Sequence, residues 1–329
     1  MGSRAGLGLL VGLALIASGA GGSATEPTQL RVKVFAGFQN LPLFAGQARG
    51  IFARHGLAID LQITPNSPEL RLDLATGAVE IAHGGVDNAI AMVETAGADV
   101  VIVLGGDNGL NELVVQPAIQ SIADLRGRTL IVDAPNTAYA LVARKILRVS
   151  GLEAGRDYAV KPVGATGLRL EAMRREPEYA ASLLNPPFSI LAERAGLRSL
   201  GSAVRVIGPY QATGTFVRRA WAEANSATLE RYIQAYVEAL RWVTAPANRE
   251  DAVALLAERL GIPADVAART CERAVTEGLA PDARLDLDGL RTVLALRAEI
   301  EGQCGGRAPA PEKYYDLRYY ERALAALAR

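Results

Sequence analysis

The chain has 329 residues, and its 35 basic and 35 acidic side chains leave a formal net charge of +0. That balance gives no electrostatic case for nucleic acid or an anionic membrane surface, and no Lys/Arg run of the phosphate-binding kind occurs. Half of the residues are hydrophobic and 21% are charged, a globular rather than a disordered balance, and the length suffices for two domains with a core each.

At the N-terminus, Arg4 precedes an apolar stretch over residues 5–17, and small residues follow to residue 24. This layout predicts a secretory signal peptide over residues 1–24, cleaved after Ala20 or Ala24. The stretch is rich in glycine and shorter than the ~20 apolar residues of a spanning helix. No cysteine follows it and no twin arginine precedes it, so export of an unfolded chain without a lipid anchor is expected.

Beyond the signal, Leu30, Val32 and Val34 alternate with Arg31 and Lys33, which predicts a strand. A turn over residues 37–42 leads to a helix carrying Leu43, Phe44, Ile51 and Phe52, which Gly56 ends. A second strand over 58–63, a turn from Pro65 to Pro68 and a helix over 69–75 follow. Ile81 and Ala82 then close a short apolar strand that runs through Gly84 and Gly85 into a helix carrying Ile90, Met92 and Val93. Asp87 and Asn88 are natural residues for that helix start, whose unpaired N–H groups make a seat for a carboxylate or carbonyl oxygen. The run 99–104 reads as a buried strand, ending in a turn over 105–109.

Residues 112–117 read as an extended crossover closed by Pro117. The strand–turn–helix rhythm then restarts: a strand over 129–132, a turn over 133–137 and a helix over 138–149. Further strands are predicted over 158–163, 179–184 and 204–207, with helices opening after Gly167 and after Phe188. Residues 210–217 carry the chain back to the first block. From Ala220 the pattern is helical, with Leu229, Ile233, Val237, Leu240 and Val243 at helical spacing, Pro246 as a stop, and helices over 252–260, 264–274 and 288–300. Tyr314, Tyr315, Tyr319 and Tyr320, beside a last helix, read as packing against a domain face.

Such an order predicts an α/β chain with two lobes, the first interrupted by the second: 25–116 with 213–329, and 117–212. The two crossings would serve as hinges for closure around a ligand. Cys271 and Cys304 are the only cysteines; in an oxidising compartment they are expected to form one disulfide tying two helices together, the alternative being two free thiols. With His55 and His83 far from them, no metal-ligand pattern arises.

Several stretches resemble a known family: residues 37–40 after the first strand, 50–57, the strand–turn–helix at 80–91, 121–128, 185–188 and 246–252. Their order and spacing are similar to those of periplasmic solute-binding proteins of ABC importers, in the group of sulfonate-, taurine- and nitrate-binding proteins and the relatives of thiamine-pyrimidine synthase. The resemblance covers nearly all of the mature chain. It implies a two-lobed periplasmic-binding-protein fold of type II, each lobe a mixed sheet flanked by helices, with two hinge crossovers. It also implies a monomer in the periplasm that traps a small molecule and hands it to a membrane permease, without cofactor or nucleic acid.

By position, the family's cleft residues map onto strand-end turns. In the first lobe these are Phe38, Gln39, Asn40, His83, Gly84, Val86, Asp87, Asn88, Asp107 and Asn108. In the second they are Asp133, Asn136, Thr137, Thr166, Arg169, Asn185, Phe188 and Tyr210. Asn40, Asn88, Asn136 and Thr137 either orient a ligand by uncharged hydrogen bonds or cap the helices they precede. Phe38, Tyr139, Phe188 and Tyr210 either hold a flat ligand between rings or pack in the core. Asp87, Asp107 and Asp133 decide the ligand's charge: two of them facing the cleft would favour an amine or ring N–H donor, whereas helix-bound or Arg-paired carboxylates leave room for an anion. His83 is either a ligand donor or a satisfied structural histidine.

The leading functional reading is therefore a binding protein that does no chemistry. A ligand sensor for a membrane receptor is the alternative. An enzyme related to pyrimidine synthase is a third, opposed by two histidines, no metal cluster and no phosphate loop.

Overall fold

The computed structural model describes Gly2 and residues 26–329, so the predicted signal segment, residue 2 aside, lies outside the described residues. The first block runs β1 (Thr28–Val34), α1 (Leu41–Ala48), α2 (Ile51–Arg54), β2 (Leu57–Ile63), α3 (Ser67–Thr76), β3 (Ile81–Gly85), α4 (Asp87–Ala96) and β4 (Val100–Asp107). The second runs β5 (Glu112–Val115), β6 (Thr129–Val132), α5 (Ala138–Val149), β7 (Ala159–Pro162), α6 (Thr166–Arg175), β8 (Tyr179–Leu184), α7 (Phe188–Arg194), β9 (Arg198–Ser202) and α8 (Val204–Ile207). The chain returns through β10 (Thr213–Arg218) and ends in helices α9 (Arg219–Ala224), α10 (Ser226–Thr244), α11 (Arg249–Leu260), α12 (Ala264–Arg273), α13 (Leu287–Glu301) and α14 (Arg318–Leu327).

Two five-stranded mixed sheets result, ordered β2-β1-β3-β10-β4 and β7-β6-β8-β5-β9. Strands β1, β2 and β3 are parallel, and β10 runs antiparallel between β3 and β4. Every residue of β4 and of β8 is buried, which explains their unbroken apolar runs. The edge strand β7 is largely exposed and ends on Pro162, whose missing N–H costs nothing at an edge. At the other sheet's edge, Tyr314 and Asp316 exchange backbone hydrogen bonds with Ile102 of β4, so the C-terminal tyrosine segment covers that strand as the packing reading expected.

Three sequence expectations are corrected. Residues 112–117 are not a crossover: β5 pairs antiparallel with both β8 and β9, so the chain crosses earlier, over 108–111, where Gly109 takes φ 85°. The lobe boundary at 116 therefore cuts off a strand of the second sheet. Residues 204–207 form the helical turn α8, and the neighbouring Arg198–Ser202 is the strand; short apolar runs do not distinguish the two, and pairing with β5 decides. Cys271 and Cys304 are both free thiols. Cys271 is buried on α12 in the first core, whereas Cys304 lies exposed beyond α13 and donates to Glu94 Oε2 at 3.1 Å.

One core packs the first sheet against α1, α2, α10, α11, α12 and α14. A second runs from the other face of that sheet, through α4 and the α13 residues Leu290, Val293 and Leu294, to α5 and the second sheet. Helix α13 thus ties the two sheets together on one side. Ion pairs reinforce the tie, from Lys145 to Glu299 at 2.7 Å and from Arg144 to Glu301.

Candidate functional site

The parallel strands of both sheets end toward a common cleft, the place where open α/β sheets receive ligands. Phe35 and Ala36 follow β1, with Gln39 on the single 3-10 turn behind them; Ser67 opens α3; Gly84, Gly85 and Asn88 lie at the β3–α4 junction. From the second sheet come Asp133, Thr137, Ala138 and Tyr139 after β6, Ala165, Thr166 and Arg169 at the start of α6, and Asn185 after β8. Thr213 of β10 completes the lining. The cavity between them is about 50 Å³, so the two sides stand close together in this structure.

Helices α4, α5 and α6 all begin at this cleft, and the side chain at none of their N-caps bonds to the first turn. Their first N–H groups, with the positive ends of three helix dipoles, therefore favour negative charge or a strong acceptor there. Arg169 adds a full charge. It is 2% exposed and donates to Gly164 O at 3.0 Å, Thr166 Oγ1 at 3.1 Å and Leu183 O at 2.9 Å. Among the described residues no carboxylate pairs with it, and its Nε is buried without a partner. Burial lowers its pKa to about 10, which leaves it charged at neutral pH. Burial also raises the Tyr139 hydroxyl, so that group stays protonated.

The two sides touch at the mouth. The Ser67 N–H donates to both oxygens of Asp133, at 3.3 and 3.1 Å, and Ala165 N–H donates to Pro65 O at 2.8 Å. The Asp133 carboxylate thus caps the start of α3, and Gln39, whose Nε2 donates to Phe35 O, keeps its Oε1 in the lining as a buried acceptor without a partner among the described residues.

Of the predicted site residues, Gln39, Gly84, Asn88, Asp133, Thr137, Thr166, Arg169 and Asn185 come together here, as does Tyr139. The others do not line the cleft, each for a definable reason. Phe38 is fully buried in the first core, and Asn40 spends its Nδ2 on Phe35 O at 2.6 Å. His83 is fully buried between Thr215 Oγ1 (2.9 Å) and the Tyr236 hydroxyl (3.4 Å), and burial drives its pKa down to about 4, the structural role of the two considered. Val86 packs in the second core. Asp87 is locked to Arg297 Nη1 at 2.5 Å, and Asn136 offers only its carbonyl, to the same nitrogen at 3.2 Å. Asp107 turns onto Thr213 Oγ1 and Gly109 N–H at the crossover, where Asn108 binds Glu277 O. Phe188 packs in the third core, beside Gly167, and Tyr210 in the second.

Phe35, Ala36, Ser67, Gly85, Ala138, Ala165 and Thr213 line the cleft without having been singled out. Ser67 carried a signal, since Ser-Pro-Glu marks a helix start. Thr213 carried none, lying on a strand without apolar periodicity.

Comparison with known proteins bears on this geometry. The profile of the NMT1-like family matches residues 23–257. A putative aliphatic sulfonates-binding protein of Escherichia coli (strain K12) is 25% identical over 218 residues, 62% of this chain; the match spans 63% of that relative's length. Among solved structures, a protein of Bordetella bronchiseptica RB50 superposes with a TM-score of 0.80 at 20% identity, covering 92% of this chain and 99% of that one. The periplasmic nitrate-binding protein NrtA of Synechocystis PCC 6803 gives 0.75 at 13% identity, over 92% of this chain and 89% of its own. The fold is thus that of the two-lobed periplasmic binding proteins.

Proposed function

Because the chain belongs to the NMT1-like family, we propose that it is the ligand-capturing component of an ABC-type importer, acting as a periplasmic monomer that delivers a small organic molecule to a membrane permease. In this reading residues 1–24 are the export signal, and among the described residues no helix is long and apolar enough to cross a membrane. The lobes divide at the crossings 108–111 and 208–212, which act as the hinges. The observation that carries the reading is the convergence of three helix N-termini and the unpaired Arg169 on one cleft between two sheets. That set suits a ligand with an anionic or strongly accepting head, such as a sulfonate, whose body lies along Phe35 and Tyr139.

Thermal unfolding over a panel of alkanesulfonates, nitrate, aromatic carboxylates, pyrimidines and amines tests this. A ligand at a hundredfold excess over its Kd adds about 2.7 kcal/mol. A shift with an acidic member is the expected result, and Asn88→Ala should abolish it without loss of fold. Phe188→Ala should leave it intact, because that ring packs outside the cleft. A panel without any shift would defeat the proposal.

A further inference from the structure

We infer that Arg71 is a positioning residue: it fixes the side-chain amide of Asn88 with its NH2 group toward the cleft, so that this wall selects ligands that present a hydrogen-bond acceptor. The inference rests on the cleft being the ligand site and adds what determines its polarity. Arg71 lies on α3, outside the lining, and its Nε donates to Asn88 Oδ1 at 2.7 Å. A guanidinium has donors only, so it can hold an amide by its oxygen and in no other way. The orientation of Asn88, which in a symmetric environment would be free to reverse, is therefore settled by chemistry.

What remains of that amide is the Nδ2 group, which meets no acceptor among the described residues although Asn88 is only 2% exposed. It lies beside Gly85, where a Cβ would stand 3.5 Å away in ordinary contact. Arg71 also lies beside a buried carboxylate, near enough for charge attraction but beyond hydrogen-bond reach. Its Nη2 lies 3.7 Å from Asp87 Oδ2, and Asp87 is anchored through its other oxygen by Arg297. Arg71 thus stands next to the buried Arg297–Asp87 pair, and its own hydrogen bond to Asn88 reaches the surface a ligand touches. Helix capping does not account for Asn88, since its side chain accepts from Arg71 rather than from the first turn of α4.

Asn88→Asp discriminates this role from a structural one, because it strengthens the link to Arg71 while replacing the donor by a carboxylate oxygen. Titration calorimetry with ethanesulfonate and nitrate should show at least a hundredfold weaker binding by Asn88→Asp, with an unfolding temperature no lower than that of the parent. Arg71→Met should bind about twofold more weakly, since an amide free to reverse is in the competent orientation half of the time. Without any ligand, Asn88→Asp should be tolerated when Arg71 is present and should lower the unfolding temperature in the Arg71→Met background. Unchanged binding by Asn88→Asp, or equal effects of Asn88→Asp in both backgrounds, would overturn the inference while the importer reading stands. Binding of amines alone by the parent would do the same. A parent that binds no panel member removes the importer reading and the specificity role together, and the ligand-free cycle still reports whether Arg71 holds Asn88.

Discussion

Replacing Arg297 with Met is expected to cost about 3–5 kcal/mol of stability, the range for removing one partner of a buried ion pair. Both side chains are 1% exposed, with Arg297 Nη1 2.5 Å from Asp87 Oδ1. Without Arg297, the Asp87 carboxylate keeps only Arg71 at 3.7 Å, beyond hydrogen-bond reach, in an interior that cannot solvate it. The pair is not a net source of stability on that account. The double variant Asp87→Asn, Arg297→Met removes the stranded charge and should recover at least half of the loss in urea unfolding. Equal losses in the single and double variants would show that packing of α13, rather than the uncompensated charge, sets the cost. Because Arg297 also holds the Asn136 carbonyl at 3.2 Å, the single variant should loosen α13 from the start of α5 as well.

A second large effect concerns pH, and it comes from two buried titratable groups on either side of β10. Thr213 and Thr215 lie two residues apart and so point to the same face, where they meet Asp107 of β4 and His83 of β3. Burial lifts Asp107 from an ordinary 3.8 to about 6 and drops His83 from 6.5 to about 4. Between pH 4 and 6 the folded chain keeps a proton on Asp107 that the unfolded chain releases, so this contribution is lost as pH rises. Between pH 6.5 and 4 the unfolded chain protonates a histidine that the folded chain keeps neutral, so that contribution is lost as pH falls. Each amounts to about 3 kcal/mol at 1.36 kcal/mol per unit. The two slopes oppose each other and nearly cancel.

Asp107→Asn should therefore unmask the histidine, with stability relative to the parent rising by about 3 kcal/mol from pH 4 to 6.5. His83→Gln should show the reverse trend over the same window. Urea midpoints of the three proteins at half-unit pH steps provide the measurement. Parallel pH profiles would mean that neither group is as buried in solution as its packing indicates.

Much of the architecture was legible because it is written in short-range terms. Apolar runs such as residues 99–104, 129–132 and 179–184 became strands, and the helical spacing of Leu229, Ile233, Val237 and Leu240 became α10. Strands β9 and β10 were not legible. Thr213–Arg218 opens Thr-Gly-Thr, with neither alternation nor an apolar run at its start, and its place at the centre of a sheet depends on β3 and β4, more than a hundred residues earlier. Val204–Ile207 had the composition of a strand and became a helical turn because Arg198–Ser202 took the position beside β5.

The site divides along the same line. The sequence alone determined where the chain turns at the strand ends, since glycines, prolines and cap residues act on their own backbone; Gln39, Gly84, Asn88, Asp133, Thr137, Thr166, Arg169 and Asn185, at those turns, line the cleft. Which way each side chain faces was decided by partners distant along the chain: Arg297 draws Asp87 inward from 210 residues away, and Thr215 draws His83 from 132. A turn is a local property of the backbone, whereas facing a cleft or a core is a competition among contacts that exist only once the chain has folded.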